Sequence, residues 1–127
     1  MKNLKNLVSK LIKSEILVAA VLGFGILALT SSMAFAASGP SLFSSDGCIA
    51  CHTINGKGGS VGPNLSHVGS QRSLSWIKTQ IVTPSAHFAP GSMVTINGKS
   101  FMAIMPNHKN LPKSQIDILA RYLKSLK

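Results

Sequence analysis

Cys48-Ile49-Ala50-Cys51-His52 holds both cysteines of the 127-residue chain and places a histidine directly after the second of them. Two thiols at positions i and i+3 of a helical turn lie on one side of it, so each can add to one vinyl group of a haem. The residue that follows then presents its imidazole to the iron. This spacing is therefore typical of a covalent haem attachment site.

Two other kinds of site share part of this pattern. A Cys-x-x-Cys pair also occurs in redox-active dithiols, which belong to a strand-helix-strand context, and in zinc sites, which need two more soft ligands. No strand-helix-strand pattern precedes Cys48, and the chain has no third cysteine. Haem attachment is the favoured interpretation, with the dithiol and the zinc site as alternatives.

Acidic residues are scarce, and this excludes several classes of enzyme. Glu15, Asp46 and Asp117 are the whole supply, so a paired-carboxylate hydrolase or an all-oxygen Ca²⁺ or Mg²⁺ site lacks its ligands. The chain length leaves room for one small domain. Domains of this size often depend on a disulfide, a metal or a cofactor for stability, in agreement with an attached haem.

The first 36 residues have the pattern of an export signal. Four lysines near the start precede the uncharged run 16–29 and the small-x-small site Ala34-Phe35-Ala36. This predicts a signal peptide over 1–36, a haem domain over 37–127 and localisation in the periplasm. The alternative is an uncleaved membrane anchor, because the charge-free stretch 16–45 is long enough to span a bilayer. Either interpretation leaves the haem domain outside the cytoplasm.

The predicted haem domain is strongly basic. Residues 37–127 carry nine Lys and Arg against two Asp, a formal charge of +7. An excess of this size predicts redox partner proteins with acidic docking surfaces, such as an oxidase, a reductase or a dehydrogenase. Nucleic acid is disfavoured as a partner, because export separates the chain from it and the basic residues are not interleaved with aromatic ones. Membrane association is expected only through the N-terminal segment.

The apolar periodicity predicts an all-α domain. Helical spacing favours three helices, over residues 39–48, 73–82 and 113–126. Asn97-Gly98 stands between two strand-like segments and predicts a short β-hairpin near residues 94–101. The segment 55–62 is rich in glycine and is predicted to be a loop.

From Gly39 to about Leu126 the chain resembles the small single-haem c-type cytochromes of class I, the mitochondrial type, found among bacterial periplasmic proteins. The resemblance rests on four features in the expected order, Cys48-Ile49-Ala50-Cys51-His52, Gly62-Pro63-Asn64-Leu65, Met105-Pro106 and Tyr122-Leu123. It implies a class I cytochrome c fold, in which several helices surround one covalently attached haem c. It also implies a carrier of single electrons between respiratory redox partners, and not an enzyme.

The resemblance assigns a role to each matching residue of the site. It implies that Cys48 and Cys51 form the thioethers and that His52 is the proximal ligand of the iron. Pro63 resembles the proline of the family whose carbonyl accepts the N–H of that imidazole, a contact that fixes the orientation of a ligand.

The distal ligand has six candidates in this sequence, namely Met93, Met102, Met105, His67, His87 and His108. Met105 is favoured, because the resemblance implies it and because Pro106 restricts the residue before it to an extended backbone. Met102 is the next candidate. A His/Met pair stabilises ferrous iron and closes the iron to substrates.

The resemblance also concerns the packing of the helices. Gly39 and Phe43 resemble the small and aromatic pair of the first helix, which crosses the last helix near Leu119 and Tyr122. Pro112 departs from the family pattern, since it stands where a Ser or Thr usually caps the last helix.

Two alternative functions remain open on the sequence. One is a membrane-anchored cytochrome subunit of a larger oxidoreductase, which would retain residues 1–36. The other is a ligand-binding or peroxidatic haem protein, which would require a labile bond between Met105 and the iron.

Overall fold

The computed structural model describes residues 37–127, so the predicted signal peptide or anchor over residues 1–36 lies outside the described residues. Their elements are, in chain order, α1 (Gly39–Ser45), α2 (Cys48–Cys51), β1 (Thr53–Ile54), β2 (Lys57–Gly58), α3 (Val68–Gln71), α4 (Leu74–Val82), a 3₁₀ turn (Pro84–Ala86), β3 (Met93–Ile96), β4 (Lys99–Met102) and α5 (Lys113–Ser125). Within this part of the chain, no helix has the length and apolar character that crossing a membrane requires.

The first predicted helix is interrupted at Asp46 and Gly47. Helix α1 begins with a cap, in which the Ser38 hydroxyl accepts the backbone N–H of Ser41 at 3.3 Å. It ends at Ser45 because Gly47 has a φ of +78°, a left-handed conformation that stops an α-helix. The prediction of one helix over 39–48 is therefore wrong at its end, and Cys48 opens a separate helical turn.

The other two helices agree with the sequence pattern. The Ser73 hydroxyl accepts the backbone N–H of Trp76 at 3.2 Å, so it caps α4 as predicted. Helix α4 ends before Pro84, which begins the 3₁₀ turn. Helix α5 follows Pro112 directly and has no side-chain cap there, as the departure at this position predicts.

Two small antiparallel hairpins complete the domain. The predicted hairpin is confirmed, since β3 pairs with β4 around Asn97 and Gly98, whose φ angles are +52° and +76°. A second pair, β1 with β2, turns through Asn55 and Gly56 in the same way, where the sequence predicted only a loop. The hairpins are short and helices make up most of the regular structure, so the predicted all-α class is confirmed for the described residues.

The core lies where α5 packs against α1, α3 and α4. Its buried apolar side chains are those of Leu42, Phe43, Ile54, Ile77, Ile81, Leu119, Ala120 and Leu123. Helix α1 approaches α5 closely at Gly39, because a Cβ atom there would overlap the Cβ and Cγ atoms of Tyr122. The Tyr122 ring also meets the Phe43 ring edge to face, with centroids 6.4 Å apart. The expected crossing of the first and last helices is thus present.

Candidate functional site

A largely apolar cavity is lined by residues of all five α-helices and of the β3–β4 hairpin. Its walls carry aromatic and aliphatic side chains, among them Phe43, Leu65, Ile81, Phe101 and Leu119. The five predicted site residues all border this cavity, namely Cys48, Cys51, His52, Pro63 and Met105. The fold therefore brings together three segments that lie far apart in the sequence.

The two cysteines lie on the single turn of α2 and are not joined by a disulfide. Burial raises the pKa of the Cys48 thiol, and the nearby Asp46 carboxylate raises it further. Catalytic dithiols need a lowered pKa, so this environment argues against a dithiol oxidoreductase. Among residues 37–127, no three His, Cys, Asp or Glu side chains converge as a metal cluster would require.

The His52 ring is held by the backbone of Pro63. Its Nδ1–H donates a hydrogen bond to the Pro63 carbonyl at 2.9 Å, and because a carbonyl only accepts, Nε2 is left as the free ligand atom. Burial lowers the pKa of His52, although the bond to Pro63 opposes this effect. The neutral imidazole that a metal requires is therefore favoured, in a fixed tautomer.

The loop that carries Pro63 is bound to the motif by backbone hydrogen bonds. The Gly59 N–H donates to the Ile49 carbonyl at 2.9 Å, and the Gly62 N–H donates to the Cys51 carbonyl at 2.8 Å. A Cβ atom on Gly62 would approach Nδ1 of the His52 ring to 2.8 Å, closer than side-chain atoms pack. Glycine at position 62 therefore lets the loop lie directly against the imidazole.

The structure separates the six candidates for the distal ligand. Met102, Met105 and His108 border the cavity, whereas Met93, His67 and His87 do not. Met93 and Met102 are exposed, at 64% and 55% of their surface, whereas Met105 is half-buried. The Met105 sulfur also accepts a hydrogen bond from Nε2 of Gln80 at 3.4 Å. Of the two methionines at the cavity, Met105 is therefore the one that is half-buried and whose sulfur accepts a hydrogen bond.

Two residues of the site were not singled out from the sequence. Gln80 lies 25 positions before Met105, and no pattern of neighbouring residues in the sequence predicts their contact. Asp46 borders the cavity beside Cys48, and its Oδ2 is buried without a hydrogen-bond partner. Neither residue belongs to a motif, so only the tertiary structure reveals its place.

The residues that border the cavity fit a haem. They offer two thiols on one helical turn, a neutral imidazole with a fixed tautomer, and apolar walls suited to a porphyrin ring. Two cysteines at this spacing with a histidine directly after them are typical of covalent haem attachment.

Residues 36–127 match the family model described as Cytochrome c. Searches among curated proteins and among solved structures returned no match. The matched segment is most of the chain and includes every residue of the cavity described above. The chain therefore belongs to the cytochrome c family, as a small c-type cytochrome that binds haem c covalently and carries electrons.

Proposed function

We propose that this protein is an exported carrier of single electrons, in which His52 and Met105 are the two axial ligands of the haem iron. The observation that carries the proposal is that both residues border the cavity at which the two cysteines lie. Each of them is also oriented by a hydrogen bond, His52 by the Pro63 carbonyl and Met105 by the Gln80 amide. When bound, haem c supplies a one-electron couple between ferric and ferrous iron.

Several residues of the chain hold the haem in this proposal, each by a different interaction. Cys48 and Cys51 attach it covalently, so it cannot dissociate between partners. Pro63 fixes the tautomer of His52, and the apolar walls keep water from the ring. Met105 would occupy the coordination position that a reacting molecule needs, so the proposed electron transfer would need no catalytic residue.

We expect reduced wild-type protein to bind carbon monoxide slowly or not at all, because Met105 occupies the position that this ligand needs. The absorption spectrum of the reduced protein, recorded before and after saturation with carbon monoxide, measures the effect. A rapid and complete spectral change would favour the ligand-binding or peroxidatic function instead.

The positive charge of the domain supports the proposal that its redox partners have acidic docking surfaces. Asp117 is paired with Lys78, whose hydrogen bond lowers the pKa of that carboxyl, and Asp46 is half-buried. The Lys78–Asp117 pair is neutral as a whole, so the other eight Lys and Arg of residues 37–127 are offset by one Asp side chain, that of Asp46. Such an excess steers an acidic partner over long distances.

We expect oxidation of the reduced protein by anionic hexacyanoferrate to slow about tenfold between low and physiological ionic strength, because salt screens the attraction. Reduction of the ferric protein by cationic hexaammineruthenium(II), the reagent of opposite charge, should show the opposite dependence. Rates with the anion that are flat across this range would contradict steering by the basic surface.

The proposal places the haem domain in the periplasm, and its support is the sequence pattern of residues 1–36. We expect the mass of the exported protein to correspond to a chain that begins after Ala36, with one haem attached. Mass spectrometry of the intact protein measures this. A mass that includes residues 1–36 would instead favour the anchored subunit of a larger oxidoreductase.

A further inference from the structure

Beside Met105, three further side chains are connected to one another. Gln80 donates from Nε2 to the Met105 sulfur at 3.4 Å, and its Oε1 lies 2.9 Å from Nδ1 of His87. The His87 ring is in turn stacked on Trp76, with centroids 4.3 Å apart and planes 5° apart. The arrangement therefore extends from the candidate ligand to a stacked aromatic pair.

The Met105 sulfur determines the direction of the Gln80 amide, because a thioether sulfur can only accept. With the NH₂ group at the sulfur, Oε1 is directed at His87, and because Oε1 can only accept, Nδ1 of His87 must carry the proton in this pair. Rotating the amide by half a turn would set its oxygen against the Met105 sulfur, a repulsive contact. The hydrogen bond from His87 stabilises the orientation in which the NH₂ group faces the sulfur.

The His87 ring is itself held in place. Trp76 and Gln80 are four residues apart on α4, so they lie on one face of the helix. The guanidinium of Arg72 lies 4.6 Å from the centroid of the Trp76 ring. His87 directly follows the 3₁₀ turn, and its backbone N–H donates to the Pro84 carbonyl at 3.0 Å. Both ring plane and backbone of His87 are thus restrained.

We propose that Gln80 and His87 are positioning residues for the ligand sulfur, a proposal that rests on the proposed ligation by Met105. A thioether sulfur has two lone pairs, and the Gln80 amide engages one and leaves the other for the iron. The hydrogen bond also withdraws electron density from the sulfur, which disfavours ferric iron and raises the potential. His87 does not contact the sulfur and acts by orienting the amide.

The first test is Gln80→Leu in the haem-loaded full chain. We expect the equilibrium constant for reduction to fall about threefold, since one neutral hydrogen bond has a modest net effect. At about 59 mV per tenfold for one electron, this is a decrease of about 30 mV in the potential. The long-wavelength absorption band of sulfur bound to ferric iron should remain. Gln115→Leu is the matched control, because Gln115 lies on α5 and does not border the cavity, and it should leave the potential unchanged.

The second test is His87→Phe, which keeps an aromatic ring against Trp76 and removes the N–H donor. We expect it to lower the potential of the wild type but to have no effect in the Gln80→Leu background, because the amide that it orients is then absent. An equal shift in both backgrounds would overturn the role of His87. An unchanged potential in Gln80→Leu with the band intact would overturn the role of Gln80, whereas a missing band in the wild type would overturn the ligation by Met105 and this proposal with it.

Discussion

Met105→Ala is expected to leave the haem attached to the chain but to remove the sixth ligand of the iron. Attachment is unaffected because Cys48, Cys51 and His52 are unchanged. The absorption band of sulfur bound to ferric iron should disappear, and added imidazole should bind readily at the open position. The potential should fall by on the order of 0.1 V, within the range of about 0.8 V that axial ligands govern, because the sulfur favours ferrous iron.

Variants of two other residues at the cavity, Met102 and His108, serve as controls for the Met105→Ala experiment. Met102 also borders the cavity but is 55% exposed, so Met102→Ala should retain the band and the potential. His108 borders the cavity as well, and a substitute ligand in the Met105→Ala protein that is lost in Met105→Ala/His108→Ala would be this histidine. The assignment would be wrong if Met105→Ala kept the band while Met102→Ala or Met93→Ala abolished it.

Gly39→Ala is expected to destabilise the haem-loaded protein by about 3 kcal/mol, at the upper end of the cost of overpacking a core. The added methyl group would overlap the Cβ and Cγ atoms of Tyr122, and because the backbone fixes the position of Cβ, no change of rotamer removes the overlap with that atom. Helix propensity alone predicts the opposite sign, a gain of about 0.5–1 kcal/mol for alanine over glycine. Unfolding in guanidinium chloride, followed by circular dichroism, measures the difference.

Ser41→Ala is the matched control for Gly39→Ala, because it lies on the same helix and its side chain is exposed. We expect its free energy of unfolding to stay within about 0.5 kcal/mol of the wild type. A Gly39→Ala protein as stable as this control would show that α1 and α5 do not need their close approach.

The parts of the fold that the sequence predicted are those governed by local rules. Ser73 caps α4 and Pro84 follows its end, because capping and proline geometry act within a few residues. Asn97-Gly98 forms the predicted turn for the same reason. The motif that begins at Cys48 is also local, because its chemistry depends on the spacing of its own residues. The sequence alone therefore predicts a haem attachment site there.

The features that the sequence did not predict depend on competing signals or on tertiary contacts. The one proline of residues 39–48, Pro40, lies in the first turn, where a helix tolerates it, so the stretch reads as one helix. Gly47, however, adopts a left-handed conformation and separates α1 from α2. Asn55-Gly56 is the same turn signal as the dipeptide in the predicted hairpin, but glycines at 58 and 59 obscured the strand that follows. The contact of Gln80 with Met105 arises only when α4 packs beside the segment after β4.

The optical spectrum of the purified wild-type protein, oxidised and reduced, tests most directly whether the iron is held by His52 and Met105. We expect both states to be low-spin and six-coordinate, and we expect the ferric state to show the long-wavelength band of sulfur bound to iron. A high-spin ferric spectrum would contradict a closed electron carrier, and a low-spin spectrum without this band would contradict methionine as the distal ligand.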